Sequence, residues 1–239
     1  MENFRMPYLA RPLISRKPME DKLLAKLKKW KVVNLCGDPG SGKSSLAYLI
    51  ADKFDNVIYI TTHGDLEQDF VSRFNLLYGS NFEEYLTCKG CIEYQSYAFE
   101  NNLLVIDMGP HKEFDLELPQ CNGLATLVIS RKQINNFHEV DIEPDDEFLR
   151  NLFQAKAGER YEGSECTDEL LDFAKHSPFV IAQLGRVLSN YPRKHDACDM
   201  ERIIVKYLPE KTKIGPSSMF LSFSDDHTCA TVMKELGII

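Results

Sequence analysis

Residues 37–44 read Gly-Asp-Pro-Gly-Ser-Gly-Lys-Ser, which fits G-x-x-x-x-G-K-[ST]. In such a turn Gly37, Gly40, Ser41 and Gly42 let successive backbone N–H groups point at one anion. A helix beginning near Gly42 aims the positive end of its dipole at the same place. Lys43 brings a mobile full charge to β- and γ-phosphates, and the Ser44 hydroxyl can ligate Mg²⁺. The implied ligand is ATP or ADP with Mg²⁺. Such a site also needs a carboxylate that orients the metal from the end of a neighbouring strand. Asp107, after the apolar run Leu103-Leu104-Val105-Ile106, is the candidate. A further run ends in Ser130-Arg131, which brings a guanidinium to the sheet edge where open α/β sheets bind ligands, so Arg131 can report on the γ-phosphate.

The elements that must position these groups are legible in the apolar pattern. Leu23, Leu24 and Leu27 recur at helical spacing in residues 19–29, and the apolar run 32–36 then leads into the glycine-rich turn. Residues 46–54 continue as a helix, and strand-like runs follow at 57–61, 103–107, 125–130 and 140–142. Between the first two of these lies a helical region, about 65–98. Buried strands alternating with helices predict an α/β fold: a P-loop NTPase parallel sheet flanked by helices. The pattern changes near residue 144, where Pro144-Asp145-Asp146 reads as a helix start with acidic residues favoured by the dipole. Helices follow at about 145–156, 167–176, 178–190 and 197–207. The expected domains are therefore a P-loop domain over 1–144, a four-helix domain over 145–211, and a linker with a last helix over 212–239, too short for its own core.

Composition narrows the function classes. The chain has 239 residues, 28 basic against 36 acidic, and a formal charge of −8. A duplex-binding surface needs clustered cations, so nucleic acid is not expected as the main partner. The cluster Lys26, Lys28, Lys29 and Lys31 reads as a solvated helix face beside Trp30. No run approaches the ~20 apolar residues of a membrane helix, and no membrane partner is expected. Seven irregularly spaced cysteines suit reduced thiols, with the cytoplasm as the expected compartment. Cys88 and Cys91 have zinc-knuckle spacing, but no second Cys or His pair follows at a suitable distance.

The order of these features resembles the NB-ARC nucleotide-binding module of the STAND ATPases, the class that includes the apoptosome adaptors. The likeness runs from about residue 11 to 211. Its parts are Leu13-Ile14-Ser15-Arg16-Lys17, the loop GDPGSGKSS, the strand LLVID, the segment VISRK, LRNLF at 149–153 and His176-Ser177-Pro178-Phe179. The resemblance implies that Ile14 and Arg16 flank adenine, and that Gly42, Lys43, Ser44 and Ser45 hold phosphates and metal. It further implies that Asp107 orients Mg²⁺ through water, that Arg131 senses the γ-phosphate, and that Pro178 closes over the base from the helical domain. Residues 212–239 then become a partial winged-helix element.

Two positions depart from the family. A second acidic residue usually follows the strand-end aspartate, and here that position is Met108. No carboxylate there can polarise an attacking water, so slow or absent hydrolysis is expected. The family's winged-helix histidine at the β-phosphate has no match, since His195 and His227 fall too early. The expected function is an ATP/ADP-binding switch that controls self-assembly, alone or with a related NB-ARC protein. The alternatives are a turning-over P-loop ATPase of the wider AAA+ type and a regulatory fragment that keeps its nucleotide structurally.

Overall fold

Five apolar runs form one sheet in which every neighbouring pair is parallel. The computed structural model describes residues 13–61, 68–69, 71–72, 101–109, 123–134, 136–143, 145–158, 168–174 and 176–189. The strands are β1 (Val32–Cys36), β2 (Asn56–Thr61), β3 (Asn102–Asp107), β4 (Leu124–Ile129) and β5 (His138–Asp141), in the order β2-β3-β4-β1-β5. The central strands β3 and β4 are apolar and almost wholly buried, as expected for parallel strands covered on both faces. The last strand starts earlier than its apolar residues suggest. His138 and Glu139 join it because they stand opposite Val33 and Asn34 in register with β1.

Two helices cover one face of this sheet. Helix α1 (Lys17–Trp30) carries Pro18 in its first turn, where no N–H is lost. Glu20 fixes its entry, because one carboxylate oxygen accepts from the Ser15 hydroxyl at 2.6 Å and from the Arg16 N–H at 2.8 Å. Met19, Leu23 and Leu27 recur every four residues and turn one stripe inward. Helix α2 (Lys43–Ala51) adds Leu46, Ala47 and Ile50 to the same core. They meet Val33, Leu35, Tyr59, Leu103, Val105, Leu127 and Ile129 from the strands. Each buried leucine or isoleucine there contributes about 1.5–3 kcal/mol.

The chain divides into two compact units, one of Met1–Asp38 with Lys43–Ile142 and one of Pro39–Gly42 with Glu143–Ile239. The described helices of the second are α3 (Asp146–Ala157), α4 (Asp168–Phe173) and α5 (Pro178–Ser189). The acidic start of α3 acts as the sequence suggests: the Asp145 carboxylate accepts from the Phe148 N–H at 2.9 Å. Helices α3 and α5 touch through Gly185, where an added Cβ would lie 2.8 Å from the Lys156 Cβ and 2.9 Å from the Phe153 carbonyl oxygen. Most of the expected helical region 65–98, the helix at 197–207 and the element at 212–239 lie outside the described residues, as do Cys88 and Cys91.

Candidate phosphate and metal site

The turn after β1 needs a backbone that side chains disfavour. Gly40 has φ 82° and Gly42 φ 93°, both in the left-handed region. Lys43 opens α2 and folds back over the turn, its Nζ donating to the Gly37 and Asp38 carbonyl oxygens at 2.7 Å each. Burial lowers its pKa from the ordinary lysine value, against the raising influence of Asp107 and Asp38. An ammonium held this way is satisfied by weak dipoles, and a phosphate offers it full counter-charge.

One residue along, the Ser44 hydroxyl donates to Asp107 Oδ2 at 3.0 Å. This contact joins the first turn of α2 to the end of β3, although β4 lies between β3 and β1 in the sheet. Asp107 receives two more donors: the Tyr59 hydroxyl at 2.5 Å on Oδ2 and the Gly109 N–H at 3.1 Å on Oδ1. Burial first, and then the Asp107 charge, push the Tyr59 phenol well above its ordinary range, so it stays a neutral donor. Met108 turns away from this face and is only 2% exposed, its N–H bonded to the Ile129 carbonyl at 2.9 Å.

Arg131 sits just past β4 and is exposed. Its charge is among the influences that lower the Lys43 pKa, which puts both cations in one electrostatic neighbourhood. The preceding Ser130 is pinned by its N–H to the Leu35 carbonyl at 3.1 Å and by its hydroxyl to Asn34 Oδ1 at 2.8 Å. Gly37, Lys43, Ser44, Asp107 and Arg131, all in the first unit, are thus gathered at the carboxyl ends of the central strands. Ser45 follows them in the first turn of α2, half-buried. Ile14, half-buried, and Arg16, 4% exposed, lie in the segment that Glu20 ties to α1.

Within the second unit, the tip of the phosphate turn meets the start of α5. The Phe179 N–H donates to the Gly40 carbonyl at 3.1 Å. A Cβ at Gly40 would stand 2.9 Å from the Phe179 Cβ and 3.2 Å from the Ser177 hydroxyl. Pro178 occupies the first helical position, where its missing N–H costs nothing. The Ser177 hydroxyl is buried and makes no hydrogen bond among the described residues.

Sequence reasoning missed three features of this region: the Tyr59 hydroxyl on Asp107, the Gly40 carbonyl under α5, and a thiol cluster. In the last, the Cys36 thiol donates to Asp141 Oδ1 at 2.6 Å, and burial followed by that partner pushes its pKa up to about 12. Glu139 completes a group whose ligand atoms lie within 4.8 Å of one another. Each depends on strand register or on a loop's fold. The only sequence signal was a tyrosine in the middle of the run 57–61.

No protein-family model matches this chain, and no curated protein is significantly similar to it. Among solved structures it is similar to the Walker-type ATPase of Pyrococcus abyssi, at 16% identity and a TM-score of 0.50, over 80% of this chain and 72% of that one. It is also similar to Cdc6p from Pyrobaculum aerophilum, at 13% identity and a TM-score of 0.48, over 80% of this chain and 66% of that one, just under two thirds of its length. At such identities the likeness concerns fold. With the all-parallel sheet and the glycine turn between β1 and α2, the fold is that of the P-loop NTPases. No described helix is long and apolar enough to cross a membrane.

Proposed function

We propose that this chain is a nucleotide-controlled assembly switch that binds ATP or ADP with Mg²⁺ and hydrolyses ATP slowly or not at all. The observation that carries the reading is the triad Lys43, Ser44 and Asp107 beneath a glycine turn whose tip belongs with the helical unit. The donor set fits the ligand. Backbone N–H groups, a lysine whose ammonium reaches the carbonyls of the turn and a helix N-terminus suit phosphates, and a hydroxyl beside a carboxylate suits a hard cation. Mg²⁺, when bound, neutralises charge between the β- and γ-phosphates. Lys43 exchanges its two carbonyls for phosphate oxygens, and Ser44 can keep its proton on Asp107 while turning a lone pair outward. Arg131 is the cation available to distinguish a triphosphate from a diphosphate.

Slow hydrolysis is supported by Met108, buried where the NB-ARC pattern has a carboxylate. Coupling to assembly is supported by the Phe179–Gly40 hydrogen bond, through which a change in the turn reaches α5. In this reading Ile14, Arg16 and Pro178 contact the base, and partners are further copies of the chain or a related NB-ARC protein. A ligand shifts such an equilibrium only by its differential affinity for the two states. The likeness to a Walker-type ATPase favours a second reading, a turning-over ATPase. Single-turnover assays with radiolabelled ATP separate the two. The switch reading expects turnover far below ~1 s⁻¹ without partners, and a rate within the ordinary enzyme range of ~1–10³ s⁻¹ sinks it.

A further inference from the structure

Asp107 accepts three hydrogen bonds, from the Ser44 and Tyr59 hydroxyls and the Gly109 N–H. The Ser44 hydroxyl has a second use, since it opens the first turn of α2 beside Lys43, where a hydroxyl can also ligate a cation. The Gly109 N–H belongs to the turn that follows β3. Tyr59 has no such second use. Its ring lies in the core between the sheet and α1 and α2, 5% exposed, where phenylalanine fills the same space. A buried hydroxyl is unfavourable unless it is hydrogen-bonded, so its gain must come from the bond it makes. That bond, 2.5 Å to Asp107 Oδ2, joins strand β2 to the carboxylate.

The register explains how it reaches. Thr61 stands opposite Asp107 and Tyr59 opposite Val105, so Tyr59 and Asp107 share a sheet face one pleat repeat apart. The long tyrosine side chain spans that step. With Ser44 and Tyr59 on one oxygen and Gly109 on the other, the carboxylate cannot rotate. It is held in one orientation beside the Ser44 hydroxyl. We infer that Tyr59 is the positioning residue that holds Asp107 for the divalent cation of the bound nucleotide. The inference rests on the nucleotide reading above and assigns part of the Mg²⁺ dependence of that site to β2.

The test compares wild type and Tyr59→Phe by titrating ADP in Mg²⁺ and in excess EDTA. Metal-free ADP affinity is expected to stay within about twofold of wild type, because no phosphate contact changes. The enhancement by Mg²⁺ is expected to fall about tenfold, as for loss of one hydrogen bond to a charged group. In an Asp107→Asn background Tyr59→Phe is expected to have no further effect on the Mg²⁺ enhancement, which a merely packing role does not produce. An unchanged enhancement, or equal losses with and without Asp107, overturns the inference while leaving nucleotide binding intact. Wild type that binds no ADP in either condition overturns both readings. Should Tyr59→Phe fail to fold, 3-fluorotyrosine placed at 59 alone replaces it. Its fluorine resonance is expected to shift when Mg²⁺ joins the ADP complex, and a stationary resonance overturns the inference.

Discussion

Lys43 and Cys36 are seven residues apart, and burial acts on them in opposite senses. Each is driven toward its neutral form, which for lysine means a lowered pKa and for cysteine a raised one. The lysine remains useful, because an arriving phosphate restores the preference for charge. Lys43→Ala is therefore expected to weaken Mg·ADP binding on the order of 100-fold, the scale of a lost charge-assisted contact. Calorimetry checks it, with an unchanged circular dichroism spectrum as control. The charged neighbours of the cysteine, Asp141 and Glu139, favour its neutral thiol. With a pKa of about 12 its thiolate is scarce at pH 8. Cys36 is expected to react with iodoacetamide roughly 1,000-fold more slowly than a free thiol, and at the ordinary rate once urea unfolds the chain. Peptide mass spectrometry reads this directly. The place of Asp107 at the end of a buried strand was legible from sequence, because four apolar residues precede it. The Tyr59 hydroxyl was not, since nothing in residues 57–61 states which residue of β3 stands beside them.

Helix starts and close backbone approaches fix how the elements of the second unit pack. Gly185 lets α5 lie on α3 at backbone distance. Helix propensity alone favours alanine there by up to ~1 kcal/mol. The 2.8 Å approach to Lys156 and the 2.9 Å approach to the Phe153 carbonyl oppose it, and a carbonyl cannot swing aside. Gly185→Ala is expected to destabilise by about 1–3 kcal/mol net, the usual cost of overpacking, measured by urea unfolding. Gly40 sits at the other contact of α5. Alanine at its φ of 82° costs about 1–2 kcal/mol from the left-handed conformation alone, before the 2.9 Å approach to Phe179 is counted. Gly40→Ala is expected to lower both the melting temperature and ADP affinity, whereas an exposed control such as Lys28→Ala moves neither. The helices of the second unit were readable from their caps and spacing, Asp145 above all. The start of β5 was not, because His138 and Glu139 are strand residues only through their partners on β1. Trp30 shows the same limit. Its ring stacks on His138 at 3.6 Å and lies 4.6 Å from the Lys29 ammonium, so the basic cluster beside it is in part a local ring contact.

For the whole molecule, the phosphate turn is divided between the two units: Gly37, Asp38, Lys43 and Ser44 belong to the first, and Pro39–Gly42 to the second. Nucleotide that binds only the folded chain stabilises it by about 2.7 kcal/mol at a hundredfold excess over Kd. Hydrogen exchange with ADP is therefore expected to slow in residues 37–46 and also around 176–182, where Phe179 holds Gly40. Protection confined to 37–46 removes the route from nucleotide to helical unit. The fold class was available from the strand and helix pattern, but the sharing of the turn was not, since Gly40 meets Ser177 and Phe179, far along the chain. The most direct measurement of the central claim is the solution mass by light scattering, with Mg·ADP and with a non-hydrolysable Mg·ATP analogue at saturating concentration. A larger assembly is expected with the triphosphate than with the diphosphate, and the same mass in both conditions for Lys43→Ala. Equal masses for wild type, when calorimetry shows both nucleotides bound, would contradict it.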